Sequence, residues 1–395
     1  MTRGSGPRAQ VAVLGGAGAM GRIIVRDLIE TAPPEIDILV ADRDLPAARA
    51  IVSGLSRRVR VVEVDATQPR RVAKALGQSA VLINACHHSL NLQAMDAALR
   101  IGSHYCDLGG LFHVTRQQLR RHAEFDRRGL LALCGIGSAP GIVNVMARAG
   151  ADRFERVREV HIAVGTSEGT PAGPLDTSYS IHTVLDEASL PAAVFTKGAL
   201  RFVKPLSHAQ PVVFPPPIGR QYPACTLHSE LATLPQSFQS KGIREVSFKI
   251  AFPGGLADRL RFVHEIGLTS TAPLSVRGRR IAPRDVLLAL VANGPKPAGR
   301  APKDEYEILR VTIRGRRGGR QAEEVLDCHV PGMPAWEIGV DIDTGAPPSI
   351  AAQLLVSGII TARGVRPPEQ AIPPEPFFRA LRARRMRLVR RWRTC

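Results

Sequence analysis

The first third of the chain alternates short apolar runs with longer segments in which apolar residues recur every three or four positions. Such runs are typical of strands buried in a parallel sheet, and such segments of amphipathic helices. The predicted strands are residues 10–14, 36–41, 59–64, 81–85, 104–107 and 130–135. The predicted helices are residues 20–32, 44–52, 68–77, 91–101 and 114–128, with Thr67 as the N-cap of the third. This alternation indicates an α/β fold, a doubly wound parallel sheet.

After residue 141 the pattern changes. Four segments alternate apolar and polar residues, as antiparallel strands do. They are residues 157–164, 245–252, 262–268 and 307–313. The pattern therefore predicts a first domain at 1–139 and an α+β domain at 140–345. The apolar sequence of residues 347–364 predicts a buried helix. We therefore expect residues 346–378 to return to the first domain, and we expect residues 379–395 to form an arginine-rich tail.

A glycine-rich turn joins the first predicted strand to the first predicted helix. Gly16, Gly18 and Gly21 have the spacing G-x-G-x-x-G, which permits a tight turn, close approach of backbone to a pyrophosphate and close helix–strand packing. Unpaired N–H groups at the start of the helix attract phosphate. Asp42 ends the second predicted strand, 21 residues beyond Gly21. Together these features predict a dinucleotide-binding (Rossmann) domain.

Asp42 also bears on which dinucleotide binds. A carboxylate there accepts hydrogen bonds from the ribose hydroxyls and repels a 2′-phosphate, which favours NAD. Arg43 follows it and is able to pair with a 2′-phosphate, so NADP stays open. Asp65, after the third strand, is placed to accept from the adenine amino group or, equally, to serve as a helix N-terminal charge. The other predicted cofactor contacts are Ala19, Met20, Ala85 and His87.

Composition adds a strong positive charge to this picture. The net charge is +18, with 53 Lys and Arg against 35 Asp and Glu, and arginine far outnumbers lysine. Because the arginines are spread along the chain, we interpret most of this charge as compositional bias. The dense exception is 379–393, RALRARRMRLVRRWR. Such a segment either binds nucleic acid or an anionic membrane, or forms a solvated helix docked by its apolar side, and we favour the helix.

Targeting signals and metal motifs are missing from the sequence. No apolar run approaches the ~20 residues of a membrane span, and the N-terminal MTRGSGPRAQ lacks the apolar segment of a secretory signal. The six cysteines show no C-x-x-C pair and no histidine at zinc spacing. We therefore expect free thiols, no metal site, no membrane or nucleic-acid partner and a cytoplasmic location.

Several stretches resemble one known family. They are VLGGAGAMGR (13–22), VLINACHH (81–88), HYCDLGG (104–110), LCGIGSAPGIVNVMA (133–147) and SIAAQLLVSGIITARG (349–364). In this order they are similar to the saccharopine dehydrogenase family, and most similar to its L-lysine 6-dehydrogenase branch. The resemblance spans nearly the whole chain. It implies a nicotinamide-dependent oxidoreductase acting at a C–N bond, whose second domain covers the substrate and forms the interface of a homodimer or homotetramer.

One stretch departs from that branch. In TLHSELATLPQSF (226–238) the resemblance implies a glycine-rich turn after His228 and Ser229, but the chain has Glu230 and Leu231. Glu230 adds a carboxylate near the expected substrate, which leaves the exact amine open.

Two residues are candidates for proton transfer. Oxidation of an amine by hydride transfer requires a group that takes the amine proton. Asp107, followed by the flexible Gly109 and Gly110, is the first candidate, and a turn-capping aspartate is the alternative. His228 is the second, because imidazole titrates near neutrality, and a polar packing histidine is the alternative. The predicted substrate contacts are Gly109, Gly110, Pro140, Tyr179, His182 and Ser229.

The leading hypothesis is an NAD-dependent amino-acid dehydrogenase that converts L-lysine or a close ω-amine to its semialdehyde and ammonia. The first alternative is a saccharopine-type enzyme, which joins an aldehyde to an amino acid or separates the two. The second is a non-catalytic protein that senses nucleotide or binds nucleic acid through its arginine-rich segment.

Overall fold

The computed structural model of the chain describes residues 8–54, 58–167, 175, 177, 179–252, 254–294 and 305–394. The strands are β1 (Ala9–Leu14), β2 (Ile36–Asp42), β3 (Val59–Glu63), β4 (Val81–Asn84), β5 (His104–Asp107), β6 (Leu131–Leu133), β7 (Arg156–Thr166), β8 (Ala192–Thr196), β9 (Ala199–Val203), β10 (Val212–Val213), β11 (Arg220–Gln221), β12 (Ala224–Cys225), β13 (Glu245–Ile250), β14 (Leu274–Val276), β15 (Arg279–Ile281), β16 (Glu307–Arg317), β17 (Arg320–Val330), β18 (Gly364–Arg366) and β19 (Arg387–Thr394). The helices are α1 (Ala19–Thr31), α2 (Leu45–Val52), α3 (Pro69–Leu76), α4 (Asn91–Ile101), α5 (Leu111–Leu119), α6 (His122–Asp126), α7 (Ile142–Ala151), α8 (Ile181–Ser189), α9 (Glu230–Ser237), α10 (Leu256–Glu265), α11 (Pro283–Asn293), α12 (Ile342–Val356), α13 (Pro368–Ala371) and α14 (Pro374–Ala383).

The chain forms two compact units. The first comprises Met1–Ala149 and Asp341–Arg384, and the second Gly150–Val340 and Arg385–Cys395. Among the helices of the described residues, none combines the length and the apolar character that a bilayer-spanning helix requires.

The first unit contains a seven-stranded sheet in the order β18-β6-β5-β4-β1-β2-β3. Every pair of neighbouring strands in it is parallel. Its central strands are continuous apolar runs because both faces of the sheet are covered, and β4 is buried at all four positions. The predicted doubly wound parallel sheet is confirmed, with a seventh short strand that the sequence did not indicate.

Helix α12 packs against α1 in this unit. The contact is close because Gly345 has no side chain: a Cβ there would lie 2.3 Å from Cγ2 of Ile23. A buried ion pair adds to the contact of the C-terminal segment with α1, since Arg384 Nε and Nη2 lie 2.6 Å and 2.8 Å from the carboxylate oxygens of Asp27. Residues distant in sequence therefore complete this unit's core.

The second unit is built on a mixed sheet in the order β19-β17-β16-β7-β13-β8-β9, with β12 paired to β13. The sequence predicted antiparallel strands, but β13 runs parallel to β7, from Glu245 opposite Glu159 to Ile250 opposite Val164. The parallel pair is possible because the long connection between these strands returns the chain to the same end of the sheet. Beside this sheet, α8, α10 and α11 share an apolar cluster.

One predicted strand and one predicted cap are wrong, and two predicted helices have different bounds. The strand predicted at 262–268 is the end of α10 and a turn, because Leu256, Leu260 and Val263 are buried at helical spacing. The helix predicted at 114–128 is two helices, α5 and α6. The helix predicted at 347–364 begins at Ile342, with two prolines inside it, and ends at Val356. Thr67 does not cap α3, because its hydroxyl and N–H both donate to Asp65 and Gln68 is the N-cap.

The prediction that the arginine-rich segment forms a tail with a single helix is also wrong. Residues 387–394 form β19, which pairs antiparallel with β17. β17 carries three buried carboxylates, Glu323, Glu324 and Asp327. Three arginines of β19 form ion pairs with them: Arg393 with Glu323, Arg390 with Glu324 and Arg391 with Asp327. The pairing of β19 with β17 extends the sheet by one strand, and the ion pairs neutralise part of the positive charge of the segment within the second unit.

Candidate functional site

The glycine-rich turn of the first unit has the geometry that its spacing predicted. Gly15 has a φ of +78°, and its N–H donates to the carbonyl of Ala41 at 2.8 Å. A Cβ on Gly21 would lie 2.0 Å from the carbonyl oxygen of Gly15, and a Cβ on Gly16 would lie 2.5 Å from Cγ1 of Val40. The turn therefore requires glycine at both positions for the helix and the neighbouring strand to approach this closely.

The turn fits the pyrophosphate of a dinucleotide. Helix α1 follows it directly, Gly18 is its N-cap without a side-chain hydrogen bond, and the first turn holds no acidic residue. The N–H groups and positive end of the helix dipole are thus left for an anion. A bound nicotinamide dinucleotide would supply hydride transfer, and this turn is where the chain would hold its phosphates.

Asp42 lies at the end of β2 beside this turn. Its Oδ2 accepts from the N–H of Ala17 at 2.9 Å, and its Oδ1 accepts from the N–H of Asp44 at 3.0 Å. Arg43 follows in the exposed bend. The position at the carboxyl end of β2 is the one from which a carboxylate reaches an adenosine ribose.

The other predicted cofactor residues occupy varied environments. Ala19 is exposed at the start of α1, whereas Met20 is 8% exposed and packs in the core. Asp65 is exposed, and hydrogen bonds from Thr67 and Gln68 lower its pKa. Ala85 follows β4, and the Nδ1 of His87 lies 2.9 Å from the hydroxyl of Ser89. The hydrogen bonds of Asp65 order the turn before α3, which favours the alternative role of Asp65 at the start of that helix.

Asp107 is a fully buried residue whose two carboxylate oxygens accept four hydrogen bonds. Oδ1 accepts from the N–H groups of Gly109 and Gly135 at 2.9 Å and 2.7 Å. Oδ2 accepts from the Tyr105 hydroxyl at 2.9 Å and the Gln118 amide at 2.5 Å. Burial raises the pKa of Asp107, and these four hydrogen bonds oppose the shift.

This geometry favours the turn-capping alternative for Asp107 over a role as the base, because all four of its hydrogen bonds come from the protein itself. Asp107 joins the loop after β5 to the loop after β6 through the N–H groups of Gly109 and Gly135. Gly109 and Gly110 follow it, and Pro140 packs where a Cβ on Gly135 would lie, 2.7 Å from the proline Cγ. These three predicted substrate contacts thus belong to loops that Asp107 holds in place.

Sequence reasoning missed the polar network around Asp107. The amide of Asn84 donates to Oδ1 of Asn91 at 3.0 Å, and the amide of Asn91 donates to the carbonyl of Gly109 at 3.0 Å. Asn91, Gln118 and Tyr105 are buried. Their signal in the sequence was weak, because isolated polar residues on the apolar face of a predicted helix are common.

The second unit holds a buried cluster of charges around His228. Its Nε2 lies 3.3 Å from Oε1 of Glu187, and its Nδ1 lies 3.3 Å from Oε2 of Glu230. Glu187 is on α8, and Glu230 is the first residue of α9. The imidazole stacks on the ring of Phe248 with 3.6 Å between centroids. Side chains from three elements therefore hold His228 in one orientation.

The two glutamates determine the charge of His228. Burial lowers the pKa of His228, but the charges of Glu187 and Glu230 outweigh it and raise the pKa to about 10. The histidine is thus an imidazolium at neutral pH. By formal charge the cluster holds two carboxylates and one imidazolium, which is a balance of one negative charge in a buried environment.

The remaining predicted substrate residues surround this cluster to different degrees. The hydroxyl of Tyr179 donates to Oε2 of Glu187 at 2.6 Å. Ser229 is buried beside His228, whereas His182 is exposed on α8. Glu187 was missed, and the signal that could have found it is a charged residue among the buried apolar positions of α8.

The cluster has acceptor capacity that the described residues do not use. Neither carboxylate oxygen of Glu230 makes a well-aligned hydrogen bond with a described residue, although Glu230 is 0% exposed. The buried hydroxyl oxygen of Thr226, Oγ1, also makes no well-aligned hydrogen bond with a described residue. Buried polar atoms are normally hydrogen-bonded, and a carboxylate only accepts. The chemistry of this cluster therefore suits a ligand that donates hydrogen bonds and is cationic.

Two family models match consecutive parts of the chain. The model described as "Saccharopine dehydrogenase NADP binding domain" matches residues 11–133. The model described as "Saccharopine dehydrogenase C-terminal domain" matches residues 137–386.

Comparison with individual proteins agrees with these matches. A carboxyaminopropylagmatine dehydrogenase from Synechocystis sp. is 24% identical over 382 residues, which cover 93% of this chain and 94% of the relative. The apo saccharopine dehydrogenase (L-Glu forming) from Saccharomyces cerevisiae has a TM-score of 0.72 at 16% identity, covering 98% of this chain and 100% of the other. The homospermidine synthase of Legionella pneumophila, in complex with NAD, has a TM-score of 0.64 at 12% identity, covering 98% and 92%. At these identities the two structures show a shared fold.

Proposed function

The chain belongs to the saccharopine dehydrogenase family, whose NAD(P)-dependent oxidoreductase chemistry is our premise, and we propose that it acts on the C–N bond of a cationic ω-amine. L-Lysine, oxidised at its 6-amino group, is the first candidate substrate, and NAD is the proposed cofactor. The observation that carries the proposal is the buried, net negative cluster of Glu187, His228 and Glu230.

The cluster supports a cationic substrate on electrostatic grounds. A buried negative charge without a full set of partners is costly, and a protonated amine that pairs with it removes that cost. Glu230 is the proposed acceptor for the amine, because its oxygens have unused acceptor capacity. Glu230 is also the proposed acceptor of the amine proton, because His228, as an imidazolium with both ring nitrogens protonated, cannot take that proton and instead holds Glu230 in place.

A second candidate reaction has support of its own. The Synechocystis relative is named for carboxyaminopropylagmatine, and the yeast structure is a saccharopine dehydrogenase. A saccharopine-type substrate would bring a C–N bond between an amine and an amino acid, which is also cationic at the amine. Both candidates therefore fit the cluster, and a substrate screen distinguishes them.

The supporting experiment is a spectrophotometric screen for reduction of NAD and of NADP. The panel is L-lysine, L-ornithine, saccharopine and carboxyaminopropylagmatine. Turnover with a diamino acid supports the first candidate, and turnover with only the last two supports the second. Dinucleotide binding without turnover of any amine would favour the nucleotide-sensing alternative and contradict the proposal.

A variant links the turnover to the cluster. Glu230→Gln should raise KM for the cationic substrate by at least ~10-fold, because hydrogen bonds to charged groups contribute about 1.5–3 kcal/mol. Glu155→Gln, whose side chain is 54% exposed in the same unit, is the matched control and should leave KM unchanged. An unchanged KM in Glu230→Gln would remove the cluster from substrate binding.

Two further parts of the proposal are a homo-oligomer and a cytoplasmic location. The location rests on free thiols: among the described residues Cys86, Cys106, Cys134 and Cys225 form no disulfide, as is usual in a reducing compartment.

A further inference from the structure

Two hydroxyl groups and a buried carboxylate form a hydrogen-bonded chain in the first unit. The Oγ1 of Thr344 lies 3.1 Å from Oδ1 of Asp343 and 3.1 Å from Oγ of Ser138. Asp343 is 3% exposed, whereas Thr344 and Ser138 are half-buried. Asp343 and Thr344 lie in the first turn of α12, and Ser138 lies in the loop between β6 and α7. The chain therefore connects a buried carboxylate to a loop at the carboxyl ends of the strands.

The carboxylate determines the direction of these hydrogen bonds. A hydroxyl group has one hydrogen to donate, and an ionised carboxylate only accepts. Because a hydrogen bond to a charged acceptor is the stronger one, we assign the hydrogen of Thr344 to Asp343. The hydroxyl of Ser138 then donates to the oxygen of Thr344. The Oγ of Ser138 is left as a hydrogen-bond acceptor with no hydrogen of its own to offer to a ligand.

Ser138 lies on the nicotinamide side of the predicted dinucleotide site. A dinucleotide lies across the crevice of such a sheet, with its two nucleotides on opposite sides of the point where the strand order reverses. Asp42 marks the adenosine side, because it ends β2. On the other side of β1 the sheet continues through β4, β5 and β6. The nicotinamide therefore belongs beside the loops that follow these three strands, and one of these loops carries Ser138.

The position of Ser138 is fixed by the backbone around it. A Cβ on Gly137 would lie 3.4 Å from Cγ2 of Thr344 and 3.8 Å from the carbonyl oxygen of Leu108. The N–H of Gly137 also donates to the carbonyl of Pro140 at 2.7 Å. The loop is thus packed against α12 and against the loop that follows β5.

The nicotinamide ring carries a group that matches this acceptor. Its carboxamide is a primary amide, so its nitrogen donates two hydrogen bonds and its oxygen accepts. The carboxamide is attached next to the carbon that carries the hydride. A hydrogen bond to the amide nitrogen therefore limits rotation of the ring and helps to hold the reactive carbon in place.

We propose that Oγ of Ser138 accepts a hydrogen bond from the carboxamide nitrogen of the bound nicotinamide, and that Thr344 and Asp343 are positioning residues that keep Ser138 an acceptor. The proposal adds a cofactor contact that the sequence did not predict. It rests on binding of a nicotinamide dinucleotide alone and is independent of the amine that the enzyme oxidises.

The first test compares dinucleotides on the unmodified full-length protein by calorimetry. The titrations use NAD or NADP, whichever binds more tightly, and two analogues of it. The thionicotinamide analogue keeps the amide nitrogen, and the 3-acetylpyridine analogue has a methyl group in its place. The 3-acetylpyridine analogue should bind about 3- to 10-fold more weakly than the natural cofactor, because it lacks the N–H donors. The thionicotinamide analogue should bind with a Kd close to that of the natural cofactor.

Variants assign this difference to Ser138. Ser138→Ala should raise Kd for the natural cofactor by about 3- to 10-fold and leave Kd for the 3-acetylpyridine analogue unchanged. Ser53→Ala, at an exposed serine of the same unit, is the control and should change neither Kd. A variant that is misfolded would lose affinity for both dinucleotides, so the comparison separates a lost hydrogen bond from a lost fold.

The positioning role of Thr344 has its own test. Thr344→Val keeps the shape of the side chain and removes the hydroxyl, so it should raise Kd for the natural cofactor less than Ser138→Ala does. In the double variant, Thr344→Val should add nothing to the effect of Ser138→Ala, because the two residues act through one hydrogen bond. Thr361→Val, at an exposed threonine of the same unit, is the control. Additive effects of the two substitutions would contradict the positioning role.

The remaining outcomes distinguish this proposal from the proposed function. Equal affinities of the wild type for the natural cofactor and the 3-acetylpyridine analogue, or equal changes of both Kd values in Ser138→Ala, would overturn the role of Ser138 and leave the amine dehydrogenase activity untouched. A wild type that binds neither NAD nor NADP would overturn both proposals.

Discussion

The carboxylate of Asp42 accepts a hydrogen bond from the backbone N–H of Ala17, with 2.9 Å between Oδ2 and N. This bond joins the end of β2 to the glycine-rich turn, so the acid and the turn are held as one surface. A 2′-phosphate placed beside that carboxylate would be repelled, whereas a ribose hydroxyl would donate to it.

Asp42→Ala should therefore raise KM for NAD by about 10-fold or more and change KM for NADP far less, because the lost hydrogen bonds are to a charged acceptor. Asp37→Asn is the control, since Asp37 lies on the same strand and forms an exposed ion pair with Arg8. Initial rates with both cofactors provide the measurement. Equal changes for the two dinucleotides would refute the ribose role of Asp42.

The features that the sequence predicted correctly are local ones. The turn of Gly16 and Gly21 and the position of Asp42 at the end of β2 could be predicted because their spacing within one strand–turn–helix–strand unit is fixed by backbone geometry. The pair of His228 with Glu187 could not, since it depends on how α8 packs within the second unit. Strand β19 was missed for a related reason: its arginines oppose acids on β17, and no local pattern in an arginine-rich segment reveals a distant acidic partner.

The hydrogen bond between Asp107 and Gln118 allows its donor and acceptor to be exchanged. Asp107→Asn should lower the free energy of unfolding by about 1–3 kcal/mol, because it leaves buried donors without a full acceptor. The double variant Asp107→Asn/Gln118→Glu restores one amide and one carboxylate and should regain part of that stability, together with turnover.

Such a rescue would not occur if Asp107 were the catalytic base, because the carboxylate would then be displaced from the reacting amine. Urea unfolding and kcat of the wild type, the single variants and the double variant provide the measurement. If the double variant recovers stability but still shows no turnover, Asp107 has a catalytic role.

The raised pKa of His228 predicts how stability depends on pH. The pKa of His228 is about 10 in the folded protein, against 6.5 for an ordinary histidine. Between these two pH values the folded state therefore holds a proton that the unfolded state releases. The stabilisation is complete below pH 6.5 and is lost as pH rises towards 10, at about 1.4 kcal/mol per pH unit.

His228→Gln should remove this decline, since glutamine does not titrate. The urea midpoints of both proteins between pH 7 and 10 provide the measurement, and the difference between them cancels the other titrating groups. Parallel curves for the two proteins would show that Glu187 and Glu230 do not hold His228 as an imidazolium.

The C-terminal strand should depend on the buried acids of β17 more than on its own arginines. Asp327 is 0% exposed and accepts from Arg310 Nε and Nη2 at 2.7 Å and 2.9 Å, and it also pairs with Arg391. Asp327→Asn should cost about 3–5 kcal/mol, because it leaves two guanidinium groups facing each other without their counter-ion. Arg391→Gln should cost ~1 kcal/mol or less, since the Arg391 side chain is 53% exposed.

This asymmetry also gives the nucleic-acid alternative a cleaner test than truncation. Deleting the residues after 378 would remove Arg384, whose ion pair with Asp27 is buried, and would therefore disturb the first unit as well.

The double variant Arg391→Gln/Arg393→Gln keeps the strand and removes two exposed charges. If the segment binds nucleic acid, the double variant should lose affinity for a fluorescent oligonucleotide and lower the salt dependence of binding. Because Asp327 and Glu323 already pair with these arginines, we expect no measurable binding in either protein and unchanged turnover; salt-dependent binding that the double variant abolishes would contradict this.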